Sequence, residues 1–513
     1  MRGLACAGAL ALGVGLSACG GNAPPAGGPA LSMARVGDAV VLDPSHAVDG
    51  LSLDTTSEVM QNLVTFRPGS FDVVGDAAAR WWSSADGKVW TFELRPHLVF
   101  SDGTPLDAQA VKFNFDRWRL RSDPAHGNFA YPKYADDFGG FPGVITDVRA
   151  PSPTRVVITL ARPLGPFLRD IADPSFGIGS PAAITTDPKR FELEPVGSGA
   201  YAVAEWQRGD HITLVANPRF AGPKPAFPTV IIRDVPDPAT SVLSIEKGDV
   251  DMLTDPARDD ARTLAAQSDL AVVGQPPDNV SYLAMDVEKS PFGDVRVRRA
   301  VAYAIDVASL TSNLYANGAV AADNWTPPGM LGANPAVKAY SHDLAKARAL
   351  LAAAGFPHGF ATTLSYSTTP RPSLPEAQRV AETLQAELGE AGIVVTLQPS
   401  EWSAFLDKIE HRSYDVCLAG WTSDNGDPDN FFSPLRNDSF GRDPAFHRLM
   451  LAGRAAVDDA QRRTIYRRAN AMVHDSVPAI PLVHAPARIV IRSSLKGFVP
   501  SPNNTYHFSL IHG

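Results

Sequence analysis

Residues 376–420, "EAQRVAETLQAELGEAGIVVTLQPSEWSAFLDKIEHRSYDVCLAG", decide the fold. Ala377, Val380, Ala381, Leu384 and Leu388 fall on one helical face, and the pattern stops at Gly392, which can leave a helix without a Cβ clash. An apolar run at 393–397 predicts a strand, 402–409 a second helix and 414–420 a second strand. Upstream, 361–366 reads as another strand, followed by the loop "STTPRPSLP" (367–375). Strand, helix, strand, helix, strand requires parallel strands joined by right-handed crossovers. The fold class is α/β.

In an open parallel sheet, ligands bind outside the carboxyl ends of the strands. Two loops leave at that edge. One carries Arg371, and the other, within "GWTSDNGDPDNFF" (420–432), carries Asp424. Strands about 4.8 Å apart put these opposite charges roughly 5–10 Å from each other across one crevice. An extended dipeptide spans about 7 Å. Its amine suits a carboxylate, and its carboxylate suits a bidentate arginine. The spacing fits a short zwitterionic peptide.

The acidic loop has other readings. A solvated turn explains its Asp, Asn and Gly but not Trp421, Phe431 and Phe432. A calcium loop needs glycine at position six and glutamate at twelve. Counting from Asp424 gives Asp429 and Leu435, and counting from Asp427 gives Phe432 at six, so neither register works.

The 513-residue chain is long enough for two or three domains, and 44% hydrophobic with 20% charged residues is a globular composition. A net charge of −9 argues against nucleic-acid partners. After Arg2, residues 4–16 are apolar but shorter than the roughly 20 needed to span a bilayer, which fits a secretion signal. The stretch Leu16-Ser17-Ala18-Cys19-Gly20 is similar to a bacterial lipobox with Cys19 as the lipidated residue, and "GGNAPPAGGPA" (20–30) reads as a tether. Of three cysteines, Cys6 leaves with the signal, Cys19 carries the lipid, and Cys417 sits alone in an apolar strand. No disulfide is then expected in the mature chain.

Elsewhere the pattern alternates between strand and turn up to about residue 280. Residues 36–66 read as a strand, the polar loop "SHAVDGLSLDTTS" (45–57) and a helix at 58–64. A strand at 89–94 precedes a helix capped by Asp107, and 201–206 with 212–215 form a hairpin. A further helix follows Ser341, carries Leu344, Ala347 and Leu351, and stops at Gly355.

Four stretches carry a family resemblance: "WTFELRPHLVFSDGTPLDAQAVKFNFDRW" (90–118), "PVGSGAYAVAEWQRGDHITLVANPRFAGPKP" (195–225), "FGDVRVRRAVAYAID" (292–306) and "GWTSDNGDPDNFF". With them the sequence resembles the extracytoplasmic solute-binding proteins of ABC importers, family 5, in the dipeptide and oligopeptide group. The resemblance covers about residue 34 to the end. It implies a periplasmic-binding-protein-like (class II) fold, a two-lobed Venus flytrap with a third domain. The implied parts are a signal (1–18), lipidated cysteine and tether (19–31), lobe I (32–66, 174–277 and 480–513), an extra domain (67–173) and lobe II (278–479).

The resemblance also implies that Asp424, three residues after Trp421, pairs with the peptide amine, and that Arg371 in "TPRPSLP" takes the peptide carboxylate. Asn425 and Gly426 would form the turn, and Trp421 and Phe431 would wall a side-chain pocket. Gly420, Asp49 and Gly50 complete the ligand-binding candidates. The expected partners are short peptides, most simply dipeptides, and the permease and ATPase subunits of an importer. The chain is expected to be a monomer held outside the cytoplasm by its lipid alone, binding neither metal nor cofactor nor nucleic acid.

Two alternatives stand beside this reading. The same scaffold could bind haem or another non-peptide solute. A secreted hydrolase finds no Gly-x-Ser-x-Gly or His-Glu-x-x-His, and the twelve histidines are scattered.

Overall fold

The computed structural model describes residues 29–315, 318–369, 371, 373–503 and 505–513. The expected signal and Cys19 lie outside the described residues. The expected tether ends earlier than 31, because Ala30 and Leu31 already belong to strand Ala30–Arg35 inside a sheet.

That sheet has seven strands in the order Leu270–Gly274, Arg488–Arg492, Met252–Thr254, Ala30–Arg35, Thr229–Asp234, His211–Ala216 and Tyr201–Gln207. A six-stranded sheet runs Val320–Ala321, Ala479–His484, Asn279–Met285, Val416–Thr422, Phe360–Ser367 and Ile393–Ser400. A four-stranded sheet, built between Ala78 and Leu160, covers a separate core that extends from Leu63 to Ile178.

The deciding stretch folds as its pattern dictates. Helix Ala377–Glu390 buries Ala377, Val380, Ala381, Leu384 and Leu388. Strand Phe360–Ser367 pairs in parallel with Ile393–Ser400 on one side and Val416–Thr422 on the other. Gly392 has φ +95°, and a Cβ on Gly359 would lie 1.7 Å from its carbonyl oxygen, so only glycine permits this crossing of backbones.

Three expectations change. The polar stretch 45–57 is largely helix Gly50–Val59, and the helix expected at 58–64 is only the last residues of that one, which stops at Val59 before strand Val64–Phe66. Polarity misled the pattern because this helix is buried through polar residues, Ser52, Asp54, Thr55, Thr56 and Glu58. Arg35 satisfies it, donating to the Leu51 carbonyl at 2.7 Å and to Thr55 Oγ1 at 3.2 Å. The helix after Ser341 is Leu344–Ala353, capped by Asp343, which accepts from the Lys346 N–H at 2.9 Å. Finally, the boundary at 480 is too early. Strand Ala479–His484 pairs with Asn279–Met285 in the six-stranded sheet, and the chain rejoins the seven-stranded sheet only at Arg488. An apolar strand does not announce which sheet it will join.

Two crossings link these sheets, near 275–278 and 485–487. They bond to each other through Gln275 N–H to Ala487 O at 2.9 Å, and Asn279 holds Ala485 by both its N–H (3.0 Å) and its carbonyl (2.7 Å).

Candidate functional site

The acidic loop leaves the carboxyl end of strand Val416–Thr422 and turns at Gly426, where φ is +63°. Its three aspartates have different fates. Asp427 caps helix Pro428–Phe431 and takes a two-pronged bond from Arg462 at 2.6 and 2.8 Å, both side chains buried. Burial alone would raise the Asp427 pKa, but Arg462 holds it below the usual carboxylate range. Asp429 is paired with Arg436 at 3.2 Å and Arg454 at 3.1 Å. Asp424 keeps a side chain 44% exposed and lines a cavity of about 830 Å³.

Asp424 is fixed by neighbours. Its Oδ2 accepts from Asn430 Nδ2 at 2.9 Å and from Lys133 Nζ at 2.9 Å. Lys133 stands on helix Pro132–Phe138, beside the four-stranded sheet, and also meets Asp137 at 3.1 Å and Asp173 at 3.9 Å. Burial would lower the Lys133 pKa, but these carboxylates push it well above the ordinary lysine value. Burial raises Asp137 to about 7. No sequence signal pointed to Lys133, which is 291 positions from its partner.

Arg371 lies on the loop after the neighbouring parallel strand and lines the same cavity. Its guanidinium carbon is 3.7 Å from the centre of the Trp402 ring, a cation–π stack. Partial desolvation lowers its pKa, and the charge of Asp49 works against that shift. Asp49 is the N-cap of helix Gly50–Val59, accepting from the Ser52 N–H at 2.8 Å. Gly50 is exposed, and a Cβ there would meet nothing within 4 Å.

Gly420 and Trp421 line the cavity. A Cβ on Gly420 would fall 2.1 Å from Ser373 Oγ, so this glycine lets the Arg371 loop lie against the strand that leads to Asp424. Trp421 Nε1 is buried without a hydrogen-bond partner among the described residues.

Asp49 and Gly50 are not among the described residues lining the cavity, and two further candidates sit elsewhere. Phe431 is fully buried in the core behind the loop, where its carbonyl accepts from Trp325 Nε1 at 2.7 Å, so it walls no pocket. Asn425 is 1% exposed and donates to Asp170 Oδ1 at 2.9 Å, tying the loop to the neighbouring domain. Aromatic and amide side chains flanking an acidic turn look alike in sequence whether they face a cleft or a core. Trp402, Phe405, Leu406 and Ile409 also line the cavity. Their spacing marked an amphipathic helix, but not what its apolar face meets.

Opposite charges at adjacent strand ends, opening into one large cavity between sheet-based bodies, define a binding protein with a ligand cleft. The chain belongs to the bacterial extracellular solute-binding proteins, family 5, whose middle region matches residues 72–442. It is 30% identical over 491 residues to the dipeptide-binding protein of Escherichia coli strain K12, covering 91% of each chain. It is 28% identical over 483 residues to heme-binding protein A of Haemophilus influenzae, covering 90% of this chain and 88% of the relative. The periplasmic binding protein DppA of Helicobacter pylori, solved with the peptide STSA, superposes with a TM-score of 0.81 at 27% identity over 94% of this chain and 98% of that one. The fold is that of the two-lobed periplasmic binding proteins, and the protein is an extracytoplasmic solute binder, not an enzyme.

Proposed function

We propose that the chain captures short peptides, dipeptides first, by their charged termini and delivers them to an ABC permease and its ATPase. Asp424 is the amine anchor through its half-exposed carboxylate, and Arg371 takes the peptide carboxylate with its guanidinium over the Trp402 ring. Asp49 limits the net positive charge at that end. The observation that carries this reading is that Asp424 and Arg371 open into one cavity from loops after neighbouring parallel strands. The peptide-binding relatives support it.

The haem-binding relative raises the other solute. No histidine is among the described residues lining the cavity. Burial pushes the Cys417 thiol and the Tyr282 and Tyr414 hydroxyls up, so none of them stands as a ready anionic ligand in the cavity. In this reading the protein works as a monomer anchored through lipidated Cys19, on the outer side of the cytoplasmic membrane or in the periplasm.

Thermal shift of the mature chain tests the reading. Ligand at a hundred times its Kd adds about 2.7 kcal/mol. Unblocked peptides of two to five residues should stabilise the chain, and N-acetylated copies should not. Equal shifts from both would remove the amine anchor. Cys19→Ala should release the protein from the membrane fraction, and its retention there would argue against lipidation.

A further inference from the structure

Resting on the peptide reading, we propose that the cavity is also a side-chain slot and that the chain selects peptides bearing a large apolar side chain, aromatic or long aliphatic. The cavity continues well past the two charged anchors. Its floor is one face of the six-stranded sheet. Tyr282 and Ala284 of strand Asn279–Met285 lie in register with Ala419 and Cys417 of strand Val416–Thr422. Small residues at three of those four positions leave the floor low. From Trp421 near the anchors to Cys417 the floor runs four residues, about 13 Å at strand rise, longer than any single side chain needs.

Helix Trp402–Glu410 forms the roof. Trp402, Phe405, Leu406 and Ile409 stand at i, i+3, i+4 and i+7, the spacing of a face built to be covered. Phe405 is buried and Trp402 and Ile409 pack partly against the same core, yet Leu406 is 44% exposed. Across the cleft, Val48 is 78% exposed and lines the same cavity. A core helix covers such residues, and large apolar side chains left open inside a cavity mark a surface awaiting an apolar ligand group. The Trp421 indole N–H, without a hydrogen-bond partner among the described residues, supplies a donor for a peptide carbonyl at the mouth of the slot. Filling the slot with a Phe side chain in place of a methyl group should tighten binding at least ten-fold.

Isothermal titration of unblocked Ala-Ala, Ala-Phe, Phe-Ala and Ala-Lys, with hemin alongside, tests this on the wild-type chain and on Leu406→Asp. We expect one of the two Phe peptides to bind at least ten-fold more tightly than Ala-Ala. Leu406→Asp should erase most of that advantage while changing Ala-Ala affinity far less. Measurable binding with equal affinities, or a preference for Ala-Lys, overturns the apolar slot and leaves capture by the termini intact. Binding of hemin and of no peptide overturns the peptide reading and this inference with it.

Discussion

Asp424 and its neighbours Asp427 and Asp429 carry the same charge within six positions, yet they do different work because of what faces them. Arginines neutralise the latter two inside the lobe, and Asp424 faces the cavity with a lysine on one oxygen. Asp424→Asn keeps the shape and removes the charge, so free peptides should bind about 2–5 kcal/mol more weakly. Titration calorimetry reads this directly, and an unchanged Kd would show that the amine is held elsewhere. Lys133→Met removes the cation shared by Asp137, Asp173 and Asp424. Breaking a buried pair costs about 3–5 kcal/mol, so urea unfolding should show a stability loss near the lower end of that range. A loss below about 0.5 kcal/mol would mean that the lysine is no more than a surface partner.

At the scale of elements, helix Gly50–Val59 shows how a polar segment becomes internal. Glu58 is buried, accepts from the Phe508 N–H at 3.3 Å, and has its pKa raised by burial to about 7. A carboxyl raised on folding holds a proton that the unfolded chain has released. Its contribution is complete below the unfolded pKa near 4.3 and disappears as the pH climbs through about 7. In Glu58→Gln that loss is absent. Relative to wild type, the variant should therefore gain stability between pH 5.5 and pH 7.5, by up to about 1.4 kcal/mol per pH unit. Denaturant melts at the two pH values give the difference, and parallel curves would place the Glu58 pKa in its ordinary range. The helix itself was missed in the sequence because apolar periodicity cannot see burial achieved through hydrogen bonds. Helix Ala377–Glu390, with its five buried apolar residues, was plain for the opposite reason.

For the whole molecule, the crossings between the two large sheets set how the lobes are joined. Asn279, 1% exposed, bonds both backbone groups of Ala485, and the buried His484 ring bonds the Asn279 carbonyl at 2.6 Å. Asn279→Ala strands a buried donor and acceptor, so stability should fall by about 1–3 kcal/mol. A melting temperature within one degree or so of wild type would show that water replaces the amide.

The order of helices and strands from 361 to 420 determined by itself that three strands run parallel, and hence that Arg371 and Asp424 leave at one edge. Local periodicity and chain direction suffice for that. Only the tertiary structure decided that Lys133 reaches Asp424, that Phe431 faces the core, that strand Ala479–His484 joins the six-stranded sheet, and that Leu406 of helix Trp402–Glu410 is left exposed over a cavity. Each of those depends on contacts between segments far apart in the chain, and a side chain's type does not record which distant surface it will meet.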